Sequence, residues 1–228
     1  MTATTQPRQI KGTGKQALKS TITQTAALDA AISSIVERGY AETSTKRIAA
    51  KAGLTRGAML HHFPVKRDLL NALVRYINEK RIESFGRAIR RLRGEKARNQ
   101  RGLDTYWRNL HSDLYIAYAE LRTAARTDAE LNSVLRKATE NFEDRWLALI
   151  KELYPEWTRN DKLIRFAVDL VQFAMEGMAL NRLSHDVKQR QLSIRDFLNA
   201  IDADILAIAN GAEDCVAVSK FLINLRED

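Results

Sequence analysis

The chain has 228 residues, enough for one or two domains with a sizeable core, and its three prolines and ten glycines favour an all-α fold over a sheet. Its net charge of +9 is uneven: residues 1–100 hold 20 Lys and Arg against 7 Asp and Glu, and residues 101–228 hold 17 against 21, so we expect the N-terminal end to face phosphates. The single cysteine, Cys215, excludes an internal disulfide, and without a membrane-spanning apolar run or a signal-peptide core we expect a cytoplasmic protein.

The first 20 residues are polar and contain Gly12 and Gly14, so they are predicted to form a flexible arm. Basic arms of this kind can contact DNA in the minor groove, and they can equally be solvated tails. The sequence leaves both interpretations open. The basic residues of the arm are Arg8, Lys11, Lys15 and Lys19.

A helix is predicted from Thr21 to Arg38, because its apolar residues share one stripe and a glycine follows. Two short helices come next. Gly53, suited to a left-handed conformation, closes the first of them, for which Thr43, Ser44 or Thr45 offers a capping hydroxyl.

The second short helix can be capped by Thr55 and is ended by Pro64. Met59 and Phe63 lie four residues apart, so they share its inward face. Two short helices joined in this way form a helix-turn-helix, in which the second helix enters a DNA major groove. We therefore predict a DNA-binding domain over residues 21–67.

The remainder, residues 68–228, is predicted to be a larger helical domain for regulation and dimerisation. A fourth helix should run from Lys66 to Arg93, and the polar stretch from Gly94 to Gly102 should be a non-helical break before the next helix. Apolar stripes then predict helical segments over residues 103–121, 131–135, 142–153, 163–178 and 194–208, or about nine helices in all, with a possible extra turn in the tail at 215–225.

The motifs over residues 22–73 resemble the N-terminal domain of the tetracycline-repressor (TetR) family of bacterial regulators. The resemblance is carried by ERGY before a Thr-Ser turn, by IAAKAG, by Thr-Arg-Gly and by HHFPVK. It implies a sequence-specific transcriptional regulator, most simply a homodimeric repressor that a small molecule releases from a palindromic operator.

Base contacts are expected from the second short helix. Arg56 can meet a guanine edge, Gly57 lets the backbone approach, and Ala58 can contact a thymine methyl. The resemblance places phosphate contacts at His62 and Lys66, and further backbone contacts are expected from the helix before. The full predicted DNA-binding set is Thr43, Thr45, Lys46, Arg47, Thr55, Arg56, Gly57, Ala58, Leu60, His61, His62 and Lys66.

Two residues depart from the family pattern. Leu60 stands where most members have a tyrosine, and it can press on a thymine methyl or a sugar instead. Val65 replaces the usual polar residue before Lys66 and removes a capping hydroxyl, which is typically worth about 1 kcal/mol.

The resemblance also implies a dimer and an effector site. Helices eight and nine should pair with those of a second subunit through Phe166, Leu170, Ala174, Gly177, Ile201 and Ile205. An apolar or aromatic effector should occupy a cavity lined by Trp107, Leu110, Leu114, Tyr115, Tyr118, Phe142, Trp146, Phe173 and Met178. Binding there should displace helix four and so separate the two DNA-binding domains of the dimer.

No cofactor, metal or catalytic centre is expected. His61 and His62 point about 100° apart on a helix and cannot chelate one ion together. Recognisable catalytic motifs are absent. Two alternatives remain open: a DNA-binding architectural protein without sequence preference, and a helical ligand-binding protein without operator specificity.

Overall fold

The computed structural model describes residues 13–157, 161–181 and 187–209, and within these ranges the chain is helical without a strand. This confirms the predicted all-α class. The described residues form nine α-helices and a short 3₁₀ helix at Pro155–Trp157. In chain order the α-helices are α1 (Thr13–Arg38), α2 (Thr45–Lys51), α3 (Arg56–His62), α4 (Lys66–Arg90), α5 (Glu95–Asn109), α6 (Asp113–Ala124), α7 (Ala129–Leu153), α8 (Asp161–Leu180) and α9 (Val187–Ala209). None of these helices combines the length and apolar character needed to cross a bilayer.

Helix α1 begins at Thr13, eight residues before the predicted start at Thr21. Gln16 to Lys19 are good helix formers, and the Thr21 hydroxyl donates to the Ala17 carbonyl within the helix, at 3.0 Å. The part of the predicted arm from Thr13 onward is therefore helical, which corrects the predicted boundary. Residues 1–12, with Arg8 and Lys11, lie outside the described residues.

The predicted break from Gly94 to Gly102 is wrong except at Gly94 itself, whose φ of +84° ends the preceding segment. Helix α5 begins at the next residue, Glu95. The stretch after Gly94 is polar but rich in Glu, Lys, Ala, Arg and Gln, which are strong helix formers. Polarity was the wrong signal there, because a helix needs only one apolar face.

Other boundaries also differ from the prediction, among them the start of α9, which lies at Val187 rather than at residue 194. The stripe over 103–121 is divided between α5 and α6, because the chain turns at Ser112, whose hydroxyl donates to the Asn109 carbonyl at 2.6 Å. Conversely, the segments predicted at 131–135 and 142–153 are parts of one helix, α7. The predicted turn at 215–225 lies outside the described residues.

The chain divides into two compact units. Unit 1 contains the described residues up to Tyr76 together with Ala117–Leu135, and unit 2 contains Ile77–Ile116 and the described residues from Arg136 onward. Helices α4, α6 and α7 each contribute residues to both units. The division into an arm, a DNA-binding domain at 21–67 and a regulatory domain at 68–228 stays a prediction, because it concerns function.

Each unit has its own apolar core. In unit 1 the most deeply buried large side chains are Ile35, Leu73, Val74, Leu121 and Leu131. In unit 2 they are Ile77, Ile89, Leu110, Ile164 and Met175.

The turn between α2 and α3 depends on Gly53, whose φ is +66° and where an added Cβ would meet no atom within 4 Å. Gly53→Ala should therefore lower the free energy of unfolding by about 1–2 kcal/mol through backbone strain alone. Gly57→Ala is the matched control: Gly57 is helical, so alanine there should leave stability unchanged or raise it by up to about 1 kcal/mol. Urea unfolding of both variants measures this, and equal losses at the two positions would contradict the strain argument.

Candidate nucleic-acid interface and ligand cavity

The helix-turn-helix in unit 1 is fixed by caps at both helix starts. The Ser44 hydroxyl accepts from the Arg47 amide at 3.3 Å, and the Thr55 hydroxyl accepts from the Ala58 amide at 3.1 Å. Of the three candidate caps for α2, Ser44 is the one used, and Thr55 is confirmed as the cap of α3. Each cap satisfies an amide that a helix start would otherwise leave unpaired.

The inward faces of α2 and α3 are buried, and Met59 and Phe63 share that of α3 as their spacing predicted. Ile48 and Ala49 are buried on α2, Met59 is 3% exposed on α3, and Phe63 just after α3 is 5% exposed. Their burial turns the opposite face of α3 toward solvent. That face carries Arg56, Gly57, Leu60 and His61 as exposed residues, with Ala58 and His62 partly exposed.

The predicted DNA-contacting cations differ in how they are engaged. Arg56 and Lys46 are exposed and make no ion pair with another described residue. Arg47 pairs with Glu42, its Nη1 lying 3.0 Å from the carboxylate. Arg56 can therefore meet a base or phosphate without first breaking a contact, whereas Arg47 has to leave Glu42.

Thr43 and His62 of this surface also have partners. Thr43 donates its hydroxyl to the Gly39 carbonyl at 2.9 Å, so this hydroxyl helps to hold the turn before α2. His62 Nδ1 lies 3.5 Å from the Gln24 side-chain nitrogen on α1. Thr45 is exposed at the first position of α2.

Lys66, at the start of α4, belongs to a polar cluster with Tyr40 and Asp128. The Tyr40 hydroxyl donates to the Asp128 carboxylate at 3.0 Å, and Lys66 Nζ lies 3.6 Å from the same oxygen and 5.3 Å from the centre of the Tyr40 ring. The Tyr40 hydroxyl raises the pKa of Lys66, and the Leu131 amide is the main cause that lowers the pKa of Asp128. Lys66 is thus charged, exposed and already paired with a carboxylate.

No group of three or more histidine, cysteine or acidic side chains suited to a metal ion occurs in the described ranges. His61 and His62 stand with their rings 5.1 Å apart in an edge-to-face arrangement.

Unit 2 contains a cavity of about 710 Å³. This volume is within the usual range for small-molecule sites. Its walls come from α4, α5, α7, α8 and α9 and from Tyr154. The described lining residues are Phe85, Asn99, Gly102, Leu103, Tyr106, Trp146, Ile150, Tyr154, Ile164, Ala167, Val168, Val171, Gln172, Asn199, Asp202, Ala203, Leu206 and Ala207.

Of the nine predicted effector contacts, Trp146 alone lines this cavity in the described structure. Leu110, Leu114 and Tyr115 instead border, with Trp146, a void of about 20 Å³, which has room for no more than a water molecule. Phe142 and Met178 are buried, the Phe142 ring being stacked on Trp146 at 5.7 Å.

The other three predicted contacts are placed elsewhere. Phe173 is 71% exposed on α8, Trp107 stacks edge-to-face with His111 at 4.6 Å, and Tyr118 belongs to unit 1. Most of the true lining was missed. One signal was available in α9: Asn199, Asp202, Ala203 and Leu206 recur at the spacing of one helical face, and they place an amide and a carboxylate on an otherwise apolar stripe.

Asp202 is the most unusual group of the cavity wall. No hydrogen bond or ion pair joins it to another described residue, and burial raises its pKa from 3.8 to about 7. Two tyrosines, Tyr106 and Tyr154, line the same cavity, and burial is also the main cause of their raised pKa values. The buried oxygen Oδ1 of Asn99 has no hydrogen-bond partner among the described residues.

Behind Tyr106 lies a buried polar group. Arg81 Nη2 is 3.6 Å from the Glu176 carboxylate, and the Tyr106 hydroxyl donates to the same oxygen at 3.4 Å. The guanidinium also lies 4.6 Å from the centre of the Phe142 ring. The charge of Glu176 is thus compensated, in contrast to that of Asp202.

The residues predicted for a dimer interface are placed unevenly. Phe166 is 57% exposed and Gly177 is also exposed, while Leu170, Ala174 and Ile201 are partly exposed. Ile205 is 8% exposed and packs inside its own chain, so it has little surface to offer a partner. Phe173 and Leu180 extend the exposed apolar face of α8 and were not in the predicted interface.

Residues 27–73 match the family described as bacterial regulatory proteins, tetR family. The HTH-type transcriptional regulator CymR of Pseudomonas putida is 30% identical over 139 residues, which cover 59% of this chain and 68% of CymR.

Solved structures show the same fold. A TetR-family transcriptional regulator from Rhodococcus sp. superposes with a TM-score of 0.61 at 21% identity, over 80% of this chain and 98% of that one. The multidrug binding protein EbrR, complexed with imidazole, gives a TM-score of 0.55 at 19% identity, over 80% of this chain and 93% of EbrR.

The raised pKa of Asp202 predicts a pH-dependent stability. Because the folded chain holds this proton more strongly than the unfolded chain, the associated stability is present below about pH 4 and is lost as the pH rises to about 7. Asn cannot ionise, so Asp202→Asn should gain stability over the wild type across that window and keep the gain above it.

Thermal unfolding midpoints between about pH 4 and pH 8 measure the effect. Asp196→Asn, an exposed change on the same helix, is the control and should follow the wild type. Parallel curves for Asp202→Asn and the wild type would show that the carboxyl ionises freely in the folded chain.

Proposed function

The chain belongs to the tetR family of bacterial regulatory proteins and is a DNA-binding transcriptional regulator, and we propose that it is a homodimeric repressor which a small molecule releases from a near-palindromic operator. The observation that carries the proposal is the exposed face of α3. Arg56 stands there without an ion pair among the described residues, on a helix whose opposite face is buried.

Base reading is assigned to α3. An arginine at the front of such a helix can donate two hydrogen bonds to a guanine edge, and Ala58 and Leu60 offer the apolar contact that a thymine methyl prefers. Leu60 is 46% exposed on this face, so its side chain is accessible for such a contact. Leu60 therefore takes a contacting role that suits leucine, in place of the family's tyrosine.

Phosphate contacts are assigned to the rim of the same surface. Lys46 is exposed and unpaired among the described residues, and Lys66 stands at the start of α4, where free amides also favour an anion. Exposed ion pairs such as Lys66 with Asp128 contribute little, about 0–1 kcal/mol, so a phosphate can replace the carboxylate. Thr43, Thr45, Arg47, Thr55, Gly57, His61 and His62 complete the proposed surface.

Dimerisation is assigned to α8, with Ile201 of α9. Phe166, Phe173 and Leu180 are 57%, 71% and 60% exposed, and Leu170 and Gly177 lie at the same helical spacing. An added Cβ at Gly177 would meet nothing within 4 Å, which leaves room for the backbone of a partner helix. A second copy of this chain is proposed to pack on this face. A dimer places two DNA-binding domains about 34 Å apart and can therefore recognise an inverted repeat, which a single domain cannot.

The effector site is assigned to the cavity of unit 2. EbrR, which shares the fold, is a multidrug binding protein that holds imidazole. Helix α4 carries Phe85, which lines the cavity, and begins at Lys66 on the proposed DNA surface. A ligand that binds more tightly to a conformation with α4 placed differently shifts the protein away from its DNA-bound conformation. The size of the shift equals the ratio of the ligand's affinities for the two conformations, and a ratio of about 100 corresponds to roughly 2.7 kcal/mol. The cytoplasmic location and the absence of catalysis stay predictions.

Arg56→Ala should cost about 1–3 kcal/mol of binding to the preferred operator and should relax the requirement at one base position of each half-site. Lys66→Ala should weaken binding to all duplexes alike and should flatten the dependence of affinity on salt. Fluorescence anisotropy with duplexes that carry single base-pair changes, at several stated salt concentrations, separates the two effects. A uniform loss for Arg56→Ala with a base-specific loss for Lys66→Ala would reverse the assigned roles.

Phe173→Glu should weaken the dimer by at least about 2 kcal/mol, because it places a charge in an interface built on aromatic anchors. Sedimentation equilibrium measures the dimer, and operator affinity should fall with it. Leu18→Glu is the control, since Leu18 is 63% exposed on α1 and outside the proposed interface. A Phe173→Glu protein as dimeric as the control would exclude this face.

A further inference from the structure

The cavity of unit 2 has largely apolar and aromatic walls. Phe85, Tyr106, Trp146 and Tyr154 present four rings to it, and aliphatic side chains of α8 and α9 cover much of the remainder. Three of these rings form one cluster, since Phe85 lies 4.8 Å from Trp146 and 6.1 Å from Tyr106 between ring centres. Such walls suit a ligand with an apolar or aromatic body, and the faces of the rings also attract cations.

Two polar groups of the wall are hydrogen-bond acceptors without partners among the described residues. The Asp202 carboxylate has no hydrogen bond or ion pair within the described residues, and the buried Asn99 Oδ1 is unpaired there as well. Gln172 differs, because its side-chain nitrogen already donates to Glu176 at 3.4 Å. Asp202 and Asn99 therefore leave a demand for hydrogen-bond donors from a ligand.

Charge makes this demand selective. Asp202 is the single acidic or basic side chain among the described lining residues, and burial of an unpaired carboxylate is costly. Two basic groups act on tyrosines of the wall, Arg98 on Tyr154 and Arg81 on Tyr106. Each pairs with a glutamate, Arg98 with Glu156 at 3.9 Å and Arg81 with Glu176 at 3.6 Å, and neither lines the cavity. A bound cation would satisfy the carboxylate, an anion would be repelled by it, and a neutral ligand would leave it unpaired.

We propose that the effector is an amphipathic organic cation, with an aromatic body against Phe85, Tyr106 and Trp146 and a protonated amine that donates to Asp202 and Asn99. This inference rests on the proposed function only in taking the bound cation to be a regulator of DNA binding. The cation site itself does not depend on DNA binding.

Three probes with one body and different charge test the site: 4-benzyloxybenzylamine, 4-benzyloxybenzyl alcohol and 4-benzyloxybenzoate. Their binding to the full chain can be followed by calorimetry and by tryptophan fluorescence, to which Trp146 of the cavity wall contributes. At about pH 8 we expect the amine to bind at least tenfold more tightly than the alcohol, and the benzoate to bind most weakly.

Asp202→Asn should abolish the preference for the amine while it retains binding of the alcohol, which also shows that the variant is folded. Asp196→Asn, on the exposed side of the same helix, should keep the preference. Equal affinity for amine and alcohol in the wild type, or a preference that survives in Asp202→Asn, would overturn the proposal.

The same probes, added to the protein on its selected operator, separate this inference from the proposed function. Release of DNA by the amine alone supports both. Amine binding that requires Asp202 but leaves operator affinity unchanged upholds the cation site and contradicts the effector-release scheme. Release of DNA by the benzoate but not by the amine overturns the cation site and leaves the release scheme standing.

Discussion

A helix of seven residues does not hold its shape in water, so the reading surface depends on the burial of two side chains, Met59 and Phe63. They anchor α3 from beneath, Thr55 caps its start, and Gly53 provides the left-handed turn that sets its direction from α2. With one face of α3 fixed inward, the exposure of Arg56 and Leu60 follows from helix geometry. The chemistry offered to DNA is thus a consequence of packing on the opposite side.

Several of the basic side chains around the proposed DNA surface already form ion pairs with carboxylates. Arg47 pairs with Glu42, and Lys66 shares Asp128 with Tyr40, whereas Arg56 and Lys46 have no such pair among the described residues. Phosphates must therefore compete with carboxylates for some cations and not for others. The Lys66 cluster has a further consequence, because Asp128 accepts the Leu131 amide at the start of α7 and so joins the proposed DNA surface to a helix with residues in both units.

The helix-turn-helix could be predicted from the sequence because its signals are local: a glycine that needs a positive φ, hydroxyls that cap helices, and two apolar residues four apart. The cavity could not, and of the predicted lining Trp146 is the residue the structure places there. Apolar periodicity shows which face of a helix is buried, but a cavity exists where several buried faces fail to fill the space between them. Phe142 and Leu110 are as apolar as Phe85, and they are core rather than lining because of neighbours far along the chain. The polar Asn99 and Asp202 matter for the same reason, since their significance appears only once apolar walls surround them.

Selection of binding sites from a random pool of DNA duplexes tests most directly whether this chain is a dimeric regulator that recognises a specific sequence. The selection should use the purified full chain at a stated salt concentration near physiological. We expect recovery of one inverted repeat, with half-sites separated by about one turn of the double helix or a multiple of it. Recovery of no motif, with binding that disappears as salt rises, would contradict the account and would favour a DNA-binding protein that holds phosphates without reading bases.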